Sequence, residues 1–148
     1  PDKEAERLIS DYCARAGVTL IHQEGDKAFY RPSNDTIVLP MMSQFAETAE
    51  YYSTAFHEMV HSTGHSSRLN RLTQTAHFGN EEYSKEELVA EIGASALVNH
   101  AGLETERSFR NSTAYVQSWL NVLKNDKRFI VSASGKAEKA VELILAGA

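Results

Sequence analysis

The sequence contains a single cysteine, Cys13, so no internal disulfide can form. Cys13 falls on the apolar face of an expected helix and reads as a small buried hydrophobe. No apolar run approaches the roughly 20 residues needed to span a bilayer, so no membrane is expected as a partner. Positive charge is in short supply: 15 Lys and Arg stand against 20 Asp and Glu, a formal charge of -5. Phosphate affinity comes mainly from clustered cations, so direct nucleic-acid binding is not expected. Two local clusters, Arg68 with Arg71 and Lys124 to Arg128, read as solvated helix faces and loops. Internal repeats, low-complexity tracts and interdomain linkers are all missing. The chain opens with Asp2-Lys3-Glu4 and not with a basic then apolar segment, which makes a cytoplasmic location the expectation. It also lacks an initiator Met, so residues 1–148 are expected to be one domain of a longer protein.

What is present suits that domain. A length of 148 residues fits a single core, and 42% hydrophobic content is enough to fill one. Ala5, Leu8, Ile9, Tyr12, Cys13 and Ala16 recur with the helical period, and Gly17 stands where such a helix stops. Val18 to His22, Ala28 to Arg31 and Thr36 to Leu39 read as short strands, with Glu24-Gly25-Asp26 as a turn and Pro40 as a terminator. A long helix is expected from about Phe45 to Thr63, ended by Gly64. Residues 64–83 read as an ordered loop. A third helix is expected from near Ser84, a polar connection over Thr105 to Asn111, and two more helices carrying Trp119 and Ile144. The expected class is α+β, a small sheet followed mostly by helices.

The chemistry concentrates in His57-Glu58-Met59-Val60-His61. Residues i and i+4 share one helical face, so His57 and His61 can reach one metal ion with nitrogen contacts of about 2 Å. Glu58 points to the neighbouring side and can act on water there without ligating the metal. This is the H-E-x-x-H arrangement of zinc hydrolases, in which zinc acidifies the water and Glu takes its proton. A third ligand is needed, and Glu87 and Glu91 offer it, again i and i+4. One carboxylate can bind the metal while the other accepts the Nδ1–H of a ligand histidine. Gly93 and Ala94 are small enough to let this helix approach the histidine helix closely. Ser84-Lys85-Glu86-Glu87 also fits a capping box, in which case Glu87 caps its own helix and Glu91 becomes the ligand. Glu86 reads as a solvated first-turn acid. His65 continues the spacing, but each four-residue step drifts by about 40°, so a structural duty, or one of supporting a ligand, is expected instead of ligation. His22, His77 and His100 have no partner spacing.

Beyond the pentapeptide, several stretches are familiar together: Ala28-Phe29-Tyr30, Asp35 through Pro40, Tyr51 through Arg71, Phe78-Gly79, Tyr83 through Ala94, Ser118-Trp119-Leu120, and Leu123 through Asp126. In these the chain resembles the C-terminal metallopeptidase domain of ArdC-type plasmid antirestriction proteins. The same domain occurs in TraC-type primases and other polyvalent proteins of plasmids and phages. The resemblance implies a zincin-like metallopeptidase fold: a small, mostly antiparallel sheet, an active-site HExxH helix and following helices. It also implies Zn2+ held by His57, His61 and a downstream Glu, and a role in the entry of mobile DNA. The single-stranded-DNA binding of those proteins belongs to a separate N-terminal domain and is not carried over. The Glu-x-x-Ala-acid segment also looks like the glutamate helix of HtpX-type peptidases, where the first acid binds zinc and the second supports it. That favours Glu87 as ligand with Glu91 in support, although those peptidases carry Asp where this chain has Glu91.

The leading function is therefore a zinc-dependent peptidase acting on a peptide or protein substrate. Glu58 serves as general base and then acid, and Tyr83 is a candidate to stabilise the oxyanion. Thr36 to Leu39 is the candidate edge strand for pairing with substrate. The alternative is a non-proteolytic zinc-containing protector module that blocks host restriction machinery.

Overall fold

Asp2 starts the first helix, α1 (Lys3–Ala16), by accepting the Ala5 N–H at 2.9 Å. Glu4 and Glu6 occupy its first turn, where the helix dipole favours acids. Ala5, Leu8, Ile9 and Tyr12 bury one face, as their period requires. Gly17 ends the helix at φ 76°, a left-handed conformation that suits glycine, and its N–H reaches Cys13 O. The computed structural model describes residues 1–72 and 81–147.

Three strands follow, β1 (Thr19–His22), β2 (Phe29–Arg31) and β3 (Thr36–Leu39). Their order is β1-β3-β2, with β1 parallel to β3 and β2 antiparallel to it. The sheet is thus mixed, not mostly antiparallel. It also corrects the placing of Thr36 to Leu39, which form the central strand and not an edge. Ile37, Val38 and Leu39 are all buried. A continuous apolar run, in place of alternation, is the mark of a strand covered on both faces.

A single 3-10 turn, Met42–Gln44, leads into α2 (Thr48–Thr63), which starts three residues later than the apolar pattern suggested. Then come α3 (Glu81–His100), α4 (Glu106–Val122) and α5 (Lys127–Leu145). Of the expected loop 64–83, residues 73–80 lie outside the described residues, and 81–83 are already helical. The expected polar connection at Thr105 to Asn111 is helix. Thr105 caps α4 through a reciprocal box with Ser108, a signal hidden by Ser standing where Glu or Gln is usual. Likewise α5 begins at Lys127, where the Asp126 side chain accepts the Arg128 N–H.

α3 is the pivot, packing against α2, α4 and α5. Phe56, Met59 and Val60 from α2, with Leu88, Val89 and Leu97 from α3, lie in one hydrophobic cluster with Leu8 and Tyr12 of α1 and Ile144 of α5. Each such large side chain contributes about 1.5–3 kcal/mol by leaving water. Where α2 and α3 come closest, a Cβ built on Gly93 would stand 2.9 Å from Val60 Cγ2. Glycine is required there by the approach, as the small residues of this segment suggested. No helix among the described residues is long and apolar enough to cross a membrane.

Candidate metal centre

α2 presents His57 and His61 on one face, toward α3. The ring nitrogens His57 Nε2 and His61 Nε2 are 3.1 Å apart. Glu87 of α3 closes a triangle with them: Oε1 is 3.1 Å from His61 Nε2 and Oε2 is 3.1 Å from His57 Nε2. His57, His61 and Glu87 form a group able to hold a metal ion. The opposite nitrogens are also engaged. His57 Nδ1 is 3.1 Å from Glu91 Oε1, and His61 Nδ1 is 2.9 Å from Glu86 Oε2.

This arrangement can be tested against a zinc ion by its donor chemistry. With a proton on each Nδ1 facing a carboxylate, both Nε2 lone pairs point at one another and at the Glu87 carboxylate. The two ring nitrogens and the two Glu87 oxygens, four electron-rich atoms so placed, repel unless a cation, a proton or a metal ion, lies among them. Tetrahedral bonds of about 2.0–2.1 Å place ligand atoms about 3.3 Å apart, close to the 3.1 Å between the two nitrogens and between each nitrogen and its nearer Glu87 oxygen. The set of two imidazoles and one carboxylate therefore fits zinc and leaves a fourth position for water or substrate.

A family description, zincin-like metallopeptidase, matches residues 3–136. The chain belongs to the zincin-like metallopeptidase family. This zincin is 46% identical over 145 residues to DNA primase TraC of Escherichia coli, an overlap covering 97% of this chain and 13% of that protein. Antirestriction protein ArdC from the R388 plasmid, in its Mn(II)-bound crystal structure, matches with 38% identity and a TM-score of 0.73. That match covers 93% of this chain and 51% of ArdC. The metal-free ArdC structure gives a TM-score of 0.70 at the same identity, over 97% of this chain and 50% of ArdC. The zincin chain thus spans about half the length of ArdC and a much smaller share of TraC.

The electrostatics of the zincin site follow from burial and from its acids. Burial pulls the His61 imidazole down, but hydrogen bonds with Glu86 and Glu87 outweigh it and lift the group to about 9. His57 is raised in the same way by Glu87 and Glu91, against its burial. Glu87 is held well below the usual carboxylate range, because both histidines together outweigh its burial. Glu58 is different. It is buried and lies outside the ligand triangle, and burial raises its carboxyl despite the nearby histidines. Tyr83, in the first turn of α3, hydrogen-bonds Glu87 and packs edge-on against Trp119 of α4. Its hydroxyl is pushed up to about 12, chiefly by burial and then by the negative Glu87.

Ser84 lies inside α3, three residues after its start, so it cannot cap that helix. That removes the capping alternative for Glu87. His65 does not join the triangle: its Nδ1 accepts the Ser67 N–H at 3.1 Å and lies 2.8 Å from Ser67 Oγ. His22 pairs with Tyr51 at 2.7 Å, and His77 lies outside the described residues.

Three expectations are overturned. Glu86 is not a solvated acid: its side chain is 13% exposed and bonds both His61 and Arg71. Helix geometry puts Glu86 about 100° round from Glu87, and the closeness of α2 at Gly93 brings both within reach. Arg71 and Arg68 are not solvated either; each side chain is 9% exposed. No spacing rule marks them, because a loop folding back on α2 brings them in.

Proposed function

We propose that this zincin domain is a zinc-dependent peptidase acting on a peptide or protein substrate, in the setting of mobile-element antirestriction that its relatives' names suggest. His57, His61 and Glu87 hold the ion. When bound, zinc supplies Lewis acidity, polarising a carbonyl and bringing the pKa of a water near neutrality. Glu58 then takes the proton from the attacking water as its oxygen bonds the carbonyl carbon. It delivers that proton to the amine nitrogen as the C–N bond breaks. The observation that carries this reading is the position of Glu58, which neighbours both histidines yet lies outside the ligand triangle. Burial lifts its carboxyl toward the pH at which a general base works best.

Tyr83 stays protonated at neutral pH, and its one O–H, which the Glu87 carboxylate accepts in this structure, can turn to a developing oxyanion beside it. The substrate strand moves from β3 to β2. Since β3 is central, β2 is an edge strand among the described residues and also packs on α2, which supports Phe29–Arg31 as the strand an extended peptide would pair with.

The test is Glu58→Gln. The amide nearly preserves shape, so zinc content by elemental analysis should match wild type, while hydrolysis of a substrate found by peptide-library screening should fall by about 10²–10⁴-fold. Equal cleavage by the variant removes Glu58 from the mechanism. Protection of incoming DNA that survives Glu58→Gln, with no cleavage by wild type, replaces the peptidase with the non-proteolytic protector.

A further inference from the structure

The two ligand histidines are held differently. Among the described residues His57 Nδ1 meets Glu91, whereas His61 Nδ1 meets Glu86, which is itself gripped by Arg71. Arg71 Nε donates to Glu86 Oε1 at 2.9 Å and Nη2 to Oε2 at 3.1 Å. The same guanidinium donates Nη1 to Thr63 Oγ1 at 2.8 Å and Nη2 to Val60 O at 2.7 Å. It is therefore anchored to the last turn of the helix that carries His61. Backbone bonds fold the intervening loop onto that helix end, Leu69 N–H to Thr63 O at 2.8 Å and Leu72 N–H to Gly64 O at 2.9 Å. Asn70 takes a left-handed φ of 57° within this return, a conformation Asn tolerates better than most residues.

We infer that Arg71 and Glu86 are positioning residues for His61, an inference that rests on the metal site proposed above. The acceptor at Nδ1 keeps the imidazole proton on that side, which turns the Nε2 lone pair toward the ion. Arg71 has two effects. Its fork orients both oxygens of Glu86. It also occupies Glu86, so that this acid does not compete with its neighbour Glu87 for the metal. Lys in place of Arg71 would keep the charge but lose the fork.

Zinc affinity of the purified domain, measured by competition with a chromophoric chelator, tests this without any substrate. Glu86→Ala and Arg71→Met should each weaken zinc by about 10–100-fold. Both should also change the visible spectrum of the Co2+-loaded domain, which reports ligand geometry, while metal-free circular dichroism stays as in wild type. Arg71→Lys should fall between. Zinc affinity and cobalt spectra unchanged in both variants overturn the inference. Should Glu86→Ala fail to fold, Glu86→Gln carries the test, since it nearly keeps the shape while losing the charge and one of the two acceptor oxygens: weakened zinc supports the inference and unchanged zinc overturns it. A wild-type domain that binds no zinc overturns the metal site itself, which separates that failure from this one.

Discussion

Glu91 Oε1 stands 3.1 Å from His57 Nδ1, one helical turn from Glu87, whose Oε2 is 3.1 Å from the other nitrogen of the same ring. One imidazole is thus held on both nitrogens by two acids of α3. The HtpX-type pattern that this segment resembles has Asp at the position of Glu91, and here the longer side chain still makes the contact.

That pairing makes metal binding depend on both helices. His57→Ala and His61→Ala should each abolish tight one-to-one zinc binding. Glu91→Gln should weaken it by about 10–100-fold while leaving the ion in place. Elemental analysis after dialysis distinguishes the two classes, and a full zinc complement in either histidine variant would reject the site.

Zinc affinity should rise with pH. The metal-free His61 stands at about 9, above its ordinary 6.5, so its interactions stabilise the metal-free fold fully below about 6.5 and are lost as pH rises through about 9. Zinc needs the neutral ring, so below that value binding must expel the proton. Calorimetric titration at pH 7 in two buffers of different ionisation enthalpy should show proton release. Identical heats in both buffers would contradict it.

Tyr83→Phe separates two duties of one hydroxyl. As an oxyanion donor, its loss should lower kcat by about 10²–10³-fold with KM little changed, in line with the removal of single donors elsewhere. Its hydrogen bond to Glu87 suggests a smaller loss of zinc affinity as well. A variant whose kcat is normal once saturated with zinc would show that Tyr83 only steadies Glu87.

Gly93→Ala should destabilise the fold, although alanine favours helix by about 1 kcal/mol. The added methyl would meet the methyls of Val60 at 2.9 Å and 3.1 Å, and Val60 is fully buried. Overpacking of that kind costs about 1–3 kcal/mol, so a net loss of about 1 kcal/mol is expected. Thermal melts should show Val60→Ala partly rescuing the double variant. If Gly93→Ala melts above wild type, the close approach of α2 and α3 is not tight.

Away from the metal, Arg68 ties three elements together. It donates to Ser62 O at 2.8 Å and Ala16 O at 3.0 Å, and it pairs with Asp35. Arg68→Met leaves Asp35 without its cation, and since that carboxylate is 25% exposed the loss should be about 3 kcal/mol, the lower end for breaking a buried pair. Urea unfolding measures it, with Asp35→Asn in the same chain recovering part.

The sequence by itself determined the parts that depend on local spacing. The i, i+4 histidines, the neighbouring Glu58 and the Glu87–Glu91 pair are set by helical period, which brings such residues to one face whatever surrounds them. The small residue at Gly93 announced a close helix crossing for the same reason. Which strand is central was decided only by tertiary pairing, since an apolar run such as Ile37-Val38-Leu39 does not name its neighbours. The fate of charged residues was also decided there. Glu86 and Arg71 look like solvated charges along the chain, because isolated charge prefers water. Each becomes a buried partner only when the return of the loop onto α2 and the approach of α3 place cation, carboxylate and imidazole within hydrogen-bonding distance, so that mutual attraction offsets the water they lose.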